Sequence, residues 1–101
     1  MIVHAGLVAM RLGGDWVGAL IEGPSGAGKS DLGLRCLDHG LRLVADDQVV
    51  LFASGGSLFG RAPGPLAGLI EVRGVGIERV ESVFLARIGL KVRCAAEPGA
   101  V

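Results

Sequence analysis

Aromatic residues are scarce in this chain: Trp16, Phe52, Phe59 and Phe84 are the whole set, and tyrosine is missing. A platform that stacks unpaired bases needs several such rings, so single-stranded nucleic acid is a disfavoured partner. Net charge is lacking as well. Ten basic residues balance ten acidic ones, which leaves no overall basic field for nucleic acid or an anionic membrane; a local patch can still meet an acidic protein. Cysteine is limited to Cys36 and Cys94. They are far apart and form no CxxC, so the pattern favours buried free thiols in a reducing cytoplasm over a metal knuckle. No run reaches the roughly 20 uninterrupted apolar residues that span a bilayer. The N-terminus also shows no basic region leading into a long apolar run and a cleavage site. A soluble, cytoplasmic protein is expected.

What is present is a glycine-rich, aliphatic chain. Its 101 residues fit one domain, near the lower end of what encloses a sizeable core. Half of them are hydrophobic and 20% are charged, which excludes a disordered tail. The 18 glycines follow no fixed period, so collagen is excluded too. Val, Leu, Ala and Ile runs interrupted by glycine turns suit short buried strands alternating with a helix, an α/β class.

Ile2 to Met10 reads as one strand, ending before the turn signal Gly13-Gly14-Asp15, and Trp16 to Glu22 as a second. The two form a hairpin. Leu32, Leu34, Cys36 and Leu37 then recur at helical spacing, and Gly40 is placed to end that helix in a left-handed conformation. Leu41 to Ala45, Val49 to Ala53 and Leu69 to Val72 read as strands, with Ala62-Pro63-Gly64-Pro65 as a loop. Ile77, Val80, Phe84 and Ile88 are spaced for one face of a further helix. Ala95 to Val101 carries no structural signal.

Between the second strand and the helix lies Gly23-Pro24-Ser25-Gly26-Ala27-Gly28-Lys29-Ser30, which satisfies GxxxxGK[ST]. Its glycines let several backbone amides turn toward one anion, and the helix start adds a partial positive end. Lys29 is placed to reach the outer phosphates and the Ser30 hydroxyl to ligate a metal. A chance match in a glycine-rich chain is the bland alternative. The strand ending at Glu22 and the helix starting at Lys29 supply the context that the motif demands. The loop does not fit GxGxxG, so a dinucleotide fold is disfavoured.

Asp46-Asp47 follow a strand expected beside the one feeding the loop. Carboxylates there hold magnesium, directly or through water, or accept a proton from the attacking group; the alternative is a solvated strand exit. Glu71 and Arg73 alternate on one expected strand face ahead of Gly74 and Gly76, a pattern that also fits the wet face of an edge strand. His4 by itself reads as a strand histidine satisfied by its neighbours.

Taken together, the loop, Asp31-Leu32, Leu43-Val44-Ala45-Asp46-Asp47 and Glu71-Val72-Arg73-Gly74-Val75-Gly76 resemble the catalytic domain of HPr kinase/phosphorylase in residues, order and spacing. The start of the chain, with His4, is similar to short alphaproteobacterial-type members. The resemblance covers about residues 2 to 92. It implies a single P-loop α/β domain of the HPr kinase and phosphoenolpyruvate carboxykinase type, using ATP and magnesium. It further implies a protein serine kinase acting on an HPr-type phosphocarrier of the phosphotransferase system, with phosphorylase activity in reverse. Carried over, it gives Lys29 to the transferred phosphate and Ser30 and Glu71 to the metal. Asp47 becomes the proton acceptor with Asp46 in support, His4 lies near that carboxylate, and Arg73 falls in the segment linked to the reverse reaction. Homo-oligomers, hexamers in this family, are implied too. Asp31 stands where longer members usually have Glu. The chain stops before the family's downstream arginine and C-terminal helices, so residues 1–101 are expected to be a C-terminally incomplete catalytic domain. A nucleotide-binding regulatory module with little catalysis is the rival expectation, and a small-molecule kinase a weaker third.

Overall fold

The computed structural model describes residues 1–24 and 26–95. Nine strands and one α-helix follow in the order β1 (Ile2–His4), β2 (Gly6–Leu12), β3 (Asp15–Glu22), α1 (Lys29–Asp38), β4 (Arg42–Ala45), β5 (Gln48–Ser54), β6 (Ser57–Arg61), β7 (Leu69–Val72), β8 (Gly76–Arg79) and β9 (Leu85–Arg93). Seven of them form one sheet in the order β1-β5-β6-β9-β3-β2-β4, while β7 and β8 form a separate hairpin. The expected mixed α/β fold is the one found.

The local signals act as read. Gly13-Gly14 joins β2 to β3 with φ of 59° and 88°; Gly55-Gly56, not read as a hairpin in the sequence, joins β5 to β6 in the same way with φ of 56° and 82°. Two successive left-handed residues are what a two-residue hairpin needs to match strand twist. Helix α1 ends as glycine allows: Gly40, at φ 93°, donates its N–H to Leu37 O, and Leu41 N–H reaches back to Cys36 O. This pair of bonds satisfies two carbonyls that the helix leaves open.

The sheet must curl. One residue, Ala5, separates β1 from β2, yet β5, β6, β9 and β3 lie between them in the sheet order. Flat, five strand spacings would set them roughly 24 Å apart, far beyond the reach of one linking residue. Curling brings the edges together and encloses a core of Ala5, Leu7, Ala9, Leu20, Val49 and Leu51 with their neighbours. Leu7 is wedged between glycines of β3 and β6: a Cβ on Gly18 or Gly60 would lie 2.8 or 2.7 Å from its methyl groups. On the alternate face of the sheet, Val8, Ile21 and Leu43 are buried, and α1 packs against β2, β4 and β7. The helix meets the β7–β8 hairpin where Gly33 faces Ile70, whose Cδ1 would lie 3.9 Å from a Cβ there.

Four expectations are corrected. The first strand is two, broken at Ala5 by the change of sheet edge. The Pro63–Pro65 loop contains a short 3-10 turn at Gly64–Leu66, and β6, unforeseen, precedes it. The helix expected over Ile77 to Ile88 is strand: β8 pairs with β7, and β9 enters the sheet between β6 and β3, parallel to β3. The apolar spacing there was coincidental, since Ile77 and Phe84 are 64% and 78% exposed and share no buried face. Sheet pairing outweighed it. Finally, β4 lies beside β2, not beside β3. The tight hairpin places β2 on one side of β3, and β9 takes the other. Residues 96–101, and Ser25 of the loop, lie outside the described residues. Among the described residues no helix is long and apolar enough to cross a membrane.

Candidate functional site

Because β2 runs antiparallel to both β3 and β4, the C-terminal ends of β3 and β4 emerge at the same edge of the sheet. That geometry brings the glycine loop and the Asp46-Asp47 pair together across the start of β2. Gly6 sits beneath them, where a Cβ would lie 4.0 Å from Asp46 Oδ1.

The loop is built by its glycines. Gly23 adopts φ 152°, and a Cβ there would lie 2.4 Å from the Cys94 carbonyl oxygen; Cys94 N–H bonds Glu22 O at 2.7 Å. The end of β9 therefore holds the start of the loop, and no larger residue fits. Gly26 and Gly28 have open space around them, but φ of 80° and 89°, so conformation rather than room demands glycine. Gly28 is the N-cap of α1 and offers no side chain to its first turn. The helix start thus keeps its amides and its partial positive charge for an anion. Lys29 Nζ donates to Gly23 O at 2.7 Å and Pro24 O at 3.0 Å, which folds the ammonium over the loop.

Asp46 is the hub of the site. Ser30 Oγ donates to its carboxylate, 3.0 Å from Oδ1 and 3.3 Å from Oδ2, and Glu71 N–H donates to Oδ2 at 3.0 Å. One side chain ties α1 to β7. Asp47 turns the other way, toward His4, whose Nε2 lies 3.4 Å from Oδ1. It is also the only non-glycine residue with positive φ among those described, at 72°. Gln48 N–H bonds Asp46 O at 2.8 Å and Ala5 N–H bonds Asp47 O at 3.1 Å, closing a three-residue turn that holds Asp47 there. A side chain in this conformation persists only where its surroundings impose it, and such positions cluster at functional sites.

The pocket between these elements, about 300 Å³, is lined by His4, Lys29, Ser30, Asp46, Asp47 and Glu71, with Gly26, Gly28, Asp31, Arg73 and Gly74 around them. Of the residues singled out in the sequence, those described at or beside this pocket include every candidate catalytic and metal residue. Two placements differ from expectation. Arg73 lies in the turn beyond β7 and not on a strand face with Glu71; it approaches Asp31 Oδ2 at 4.0 Å. Asp46, expected only to support Asp47, is the aspartate against the phosphate loop. Ser30 and Glu71 meet through it: the hydroxyl of one and the backbone N–H of the other share its carboxylate, while the Glu71 side chain stays exposed. Among the described residues no group of three His, Cys, Asp or Glu side chains converges to hold a metal. Cys36 and Cys94 are free, and half-buried where full burial was expected. Gly6 and Cys94 were not foreseen as neighbours of the site; Asp31, named beside the motif but given no role, lines the pocket too.

A glycine-built loop at a helix start, a lysine and an aspartate at positive φ meet in one pocket. Residues 2–91 match the sequence model of the HPr Serine kinase C-terminal domain, and the chain belongs to that family. It is 46% identical over 69 residues to the HPr kinase/phosphorylase of Leptothrix cholodnii, covering 67% of this chain and 21% of that protein. It is 49% identical over 69 residues to the HPr kinase/phosphorylase of Streptococcus pneumoniae, covering 67% and 22%. The chain thus spans about a fifth of the length of these curated relatives. The solved Hpr(Ser) kinase/phosphatase of Coxiella burnetii superposes with a TM-score of 0.82 at 28% identity, over 100% of this chain and 62% of that one.

Proposed function

We propose that this chain is the core of an ATP-dependent protein serine kinase acting on an HPr-type phosphocarrier, able to run in reverse as a phosphorylase. The observation that carries this reading is the single pocket joining the phosphate loop, the Ser30–Asp46 pair and the strained Asp47. The names of the relatives supply the acceptor.

The chemistry follows from the residues. The loop amides and Lys29 bind the triphosphate, with the ammonium exchanging its carbonyl partners for phosphate oxygens. Asp47 accepts the proton of the incoming serine hydroxyl while its oxygen bonds the γ-phosphorus and the bond to the β-phosphate oxygen breaks, leaving ADP. His4 orients the Asp47 carboxylate. In reverse, an oxygen of inorganic phosphate bonds the phosphorus of the phosphoserine as its bond to the serine oxygen breaks, Asp47 returns the proton to that oxygen, and pyrophosphate leaves; Arg73, which lines the same pocket, helps hold the attacking anion. The local oxygen donors, Ser30 and the Glu71 carboxylate, suit magnesium, which takes few protein ligands and completes its shell with water and phosphate. When bound, the ion neutralises charge on the transferring phosphoryl group. A homo-oligomer, hexameric as the family resemblance implies, and a cytoplasmic location belong to the same reading.

The test is transfer of radiolabel from γ-labelled ATP to a purified phosphocarrier. Lys29→Ala removes charge-assisted contacts worth about 1.5–3 kcal/mol, which lowers ATP affinity roughly ten- to a hundredfold. A folded Lys29→Ala protein that binds ATP normally by calorimetry sinks the site assignment.

A further inference from the structure

Strand β9 carries one residue more than its pairing with β3 uses. Gly18 pairs with Ile88 and Ala19 with Leu90, which leaves Gly89 as a bulge. Glycine is required there, since a Cβ would lie 2.5 Å from Val17 Cγ1. One extra residue moves every later side chain of its strand to the opposite face. Without it, Leu90 would stand opposite Leu20 and Val92 opposite Glu22. With it, Lys91 stands opposite Leu20 and Arg93 opposite Glu22. The bulge thus exchanges two aliphatic side chains for two cations on the sheet face that carries Glu22, the last residue before the glycine loop.

One of these cations reaches Glu22. Lys91 Nζ lies 3.0 Å from Glu22 Oε1. That oxygen is buried and accepts no hydrogen bond from the described residues, so the ammonium beside it is what offsets its charge. The pair is partly wet, with Glu22 24% and Lys91 65% exposed. Backbone contacts lead from it into the loop. Glu22 O accepts from Cys94 N–H at 2.7 Å, the Cys94 carbonyl packs against Gly23, and Gly23 O accepts from Lys29 Nζ at 2.7 Å. Neither Glu22 nor Lys91 lines the phosphate pocket.

Resting on the ATP site assigned above, we propose that Glu22 and Lys91 are a positioning pair for the phosphate loop. They clamp the end of β9 to the end of β3, and so hold Gly23, the loop amides and Lys29 in the form that receives the triphosphate. The Gly89 bulge is what brings the two charges to one face. Because neither side chain lines the pocket, the pair acts on the population of the receptive loop: apparent affinity falls in proportion to the fraction of molecules that hold it. Electrostatics alone predicts the reverse for Glu22. A carboxylate beside an anion site repels the anion, so its removal would tighten ATP binding. The two accounts differ in sign.

The experiment measures ATP affinity by calorimetry on the 101-residue chain, with a thermal melt of each variant and a parallel assay of transfer from γ-labelled ATP to a purified phosphocarrier. Glu22→Gln keeps the size of the side chain and should weaken ATP binding about two- to fivefold, the range open to a pair of this exposure. Lys91→Met should weaken it similarly, and Lys91→Arg, which keeps the charge, should recover most of that loss. The control is Glu81→Gln, which breaks the Arg42–Glu81 pair at the start of β4, the end away from Asp46; it should leave ATP affinity at the wild-type value. Unchanged or tighter binding in Glu22→Gln overturns the pair alone, and so does an equal weakening in Glu81→Gln, which would mark a loss of general stability. No ATP binding by the unaltered chain overturns the pair and the kinase reading together. Weaker binding in Glu22→Gln, with no transfer from any form, supports the pair and overturns the kinase reading alone.

Discussion

Exchanging each member of the Asp46-Asp47 pair for asparagine separates two jobs that adjacent carboxylates conceal. Asp46 accepts from Ser30 Oγ and from Glu71 N–H, so it joins the helix to the hairpin. Asparagine has one acceptor oxygen and no charge. If that oxygen stays on Glu71 N–H, the amide group faces Ser30 and the charge assistance is lost from both bonds. Bonds to a charged group are worth about 1.5–3 kcal/mol each, and a half-buried site that keeps part of each bond loses about 1–2 kcal/mol in total. For a domain of this size that lowers Tm by roughly 4–16 °C. Asp47→Asn behaves differently. Asparagine tolerates positive φ as well as aspartate does, and the exposed contact with His4 is worth less than about 1 kcal/mol. Its Tm should move by a few degrees at most, while loss of the proton acceptor slows transfer by about 10²–10⁴-fold with ATP binding preserved. The assays are thermal melts, ATP calorimetry and the rate of transfer to a purified phosphocarrier. A near-normal rate for Asp47→Asn beside a dead but stable Asp46→Asn would reverse the two assignments. Two near-normal rates would remove the pair from the chemistry and favour the nucleotide-binding regulatory module.

Other perturbations probe the parts that hold the site. Glu71→Gln leaves its backbone bond to Asp46 intact, so stability should hold while the magnesium dependence of ATP binding weakens; an early melt with unchanged metal dependence would make Glu71 structural. Gly23→Ala places a Cβ against the Cys94 carbonyl at a φ that side chains avoid, at a cost of about 1–3 kcal/mol for conformation alone, and calorimetry should show lost ATP affinity. Gly60→Ala drives a methyl into Leu7 and Val49 and should cost about 1–3 kcal/mol by denaturant melt. The same change should cost less in a Leu7→Val background, and equal costs in both backgrounds would remove Leu7 as the source of the crowding.

Much of the local structure was legible in the chain because its causes are local. Gly13-Gly14 specifies the first two-residue hairpin, Gly40 stops α1, and GxxxxGKS between a strand and a helix specifies the loop whatever surrounds it. Lys29, Ser30, Asp46, Asp47, Glu71 and Arg73, which line one pocket, stood out for a different reason: their order along the chain resembles a known family. The rest required the folded molecule. No short-range signal shows that β9 inserts parallel to β3, so four apolar residues at helical spacing misled. The curl of the sheet depends on which strands pair, and pairing is a contest among segments far apart in sequence. Pairing of β1 with β5 sets His4 beside Asp47, and the shared edge of β3 and β4 sets Asp46 on Ser30. Which aspartate faces the loop, and which isoleucine of the hairpin packs on α1, were decided by tertiary packing, because neighbouring side chains are chemically alike until a pleat and a turn send them to different places.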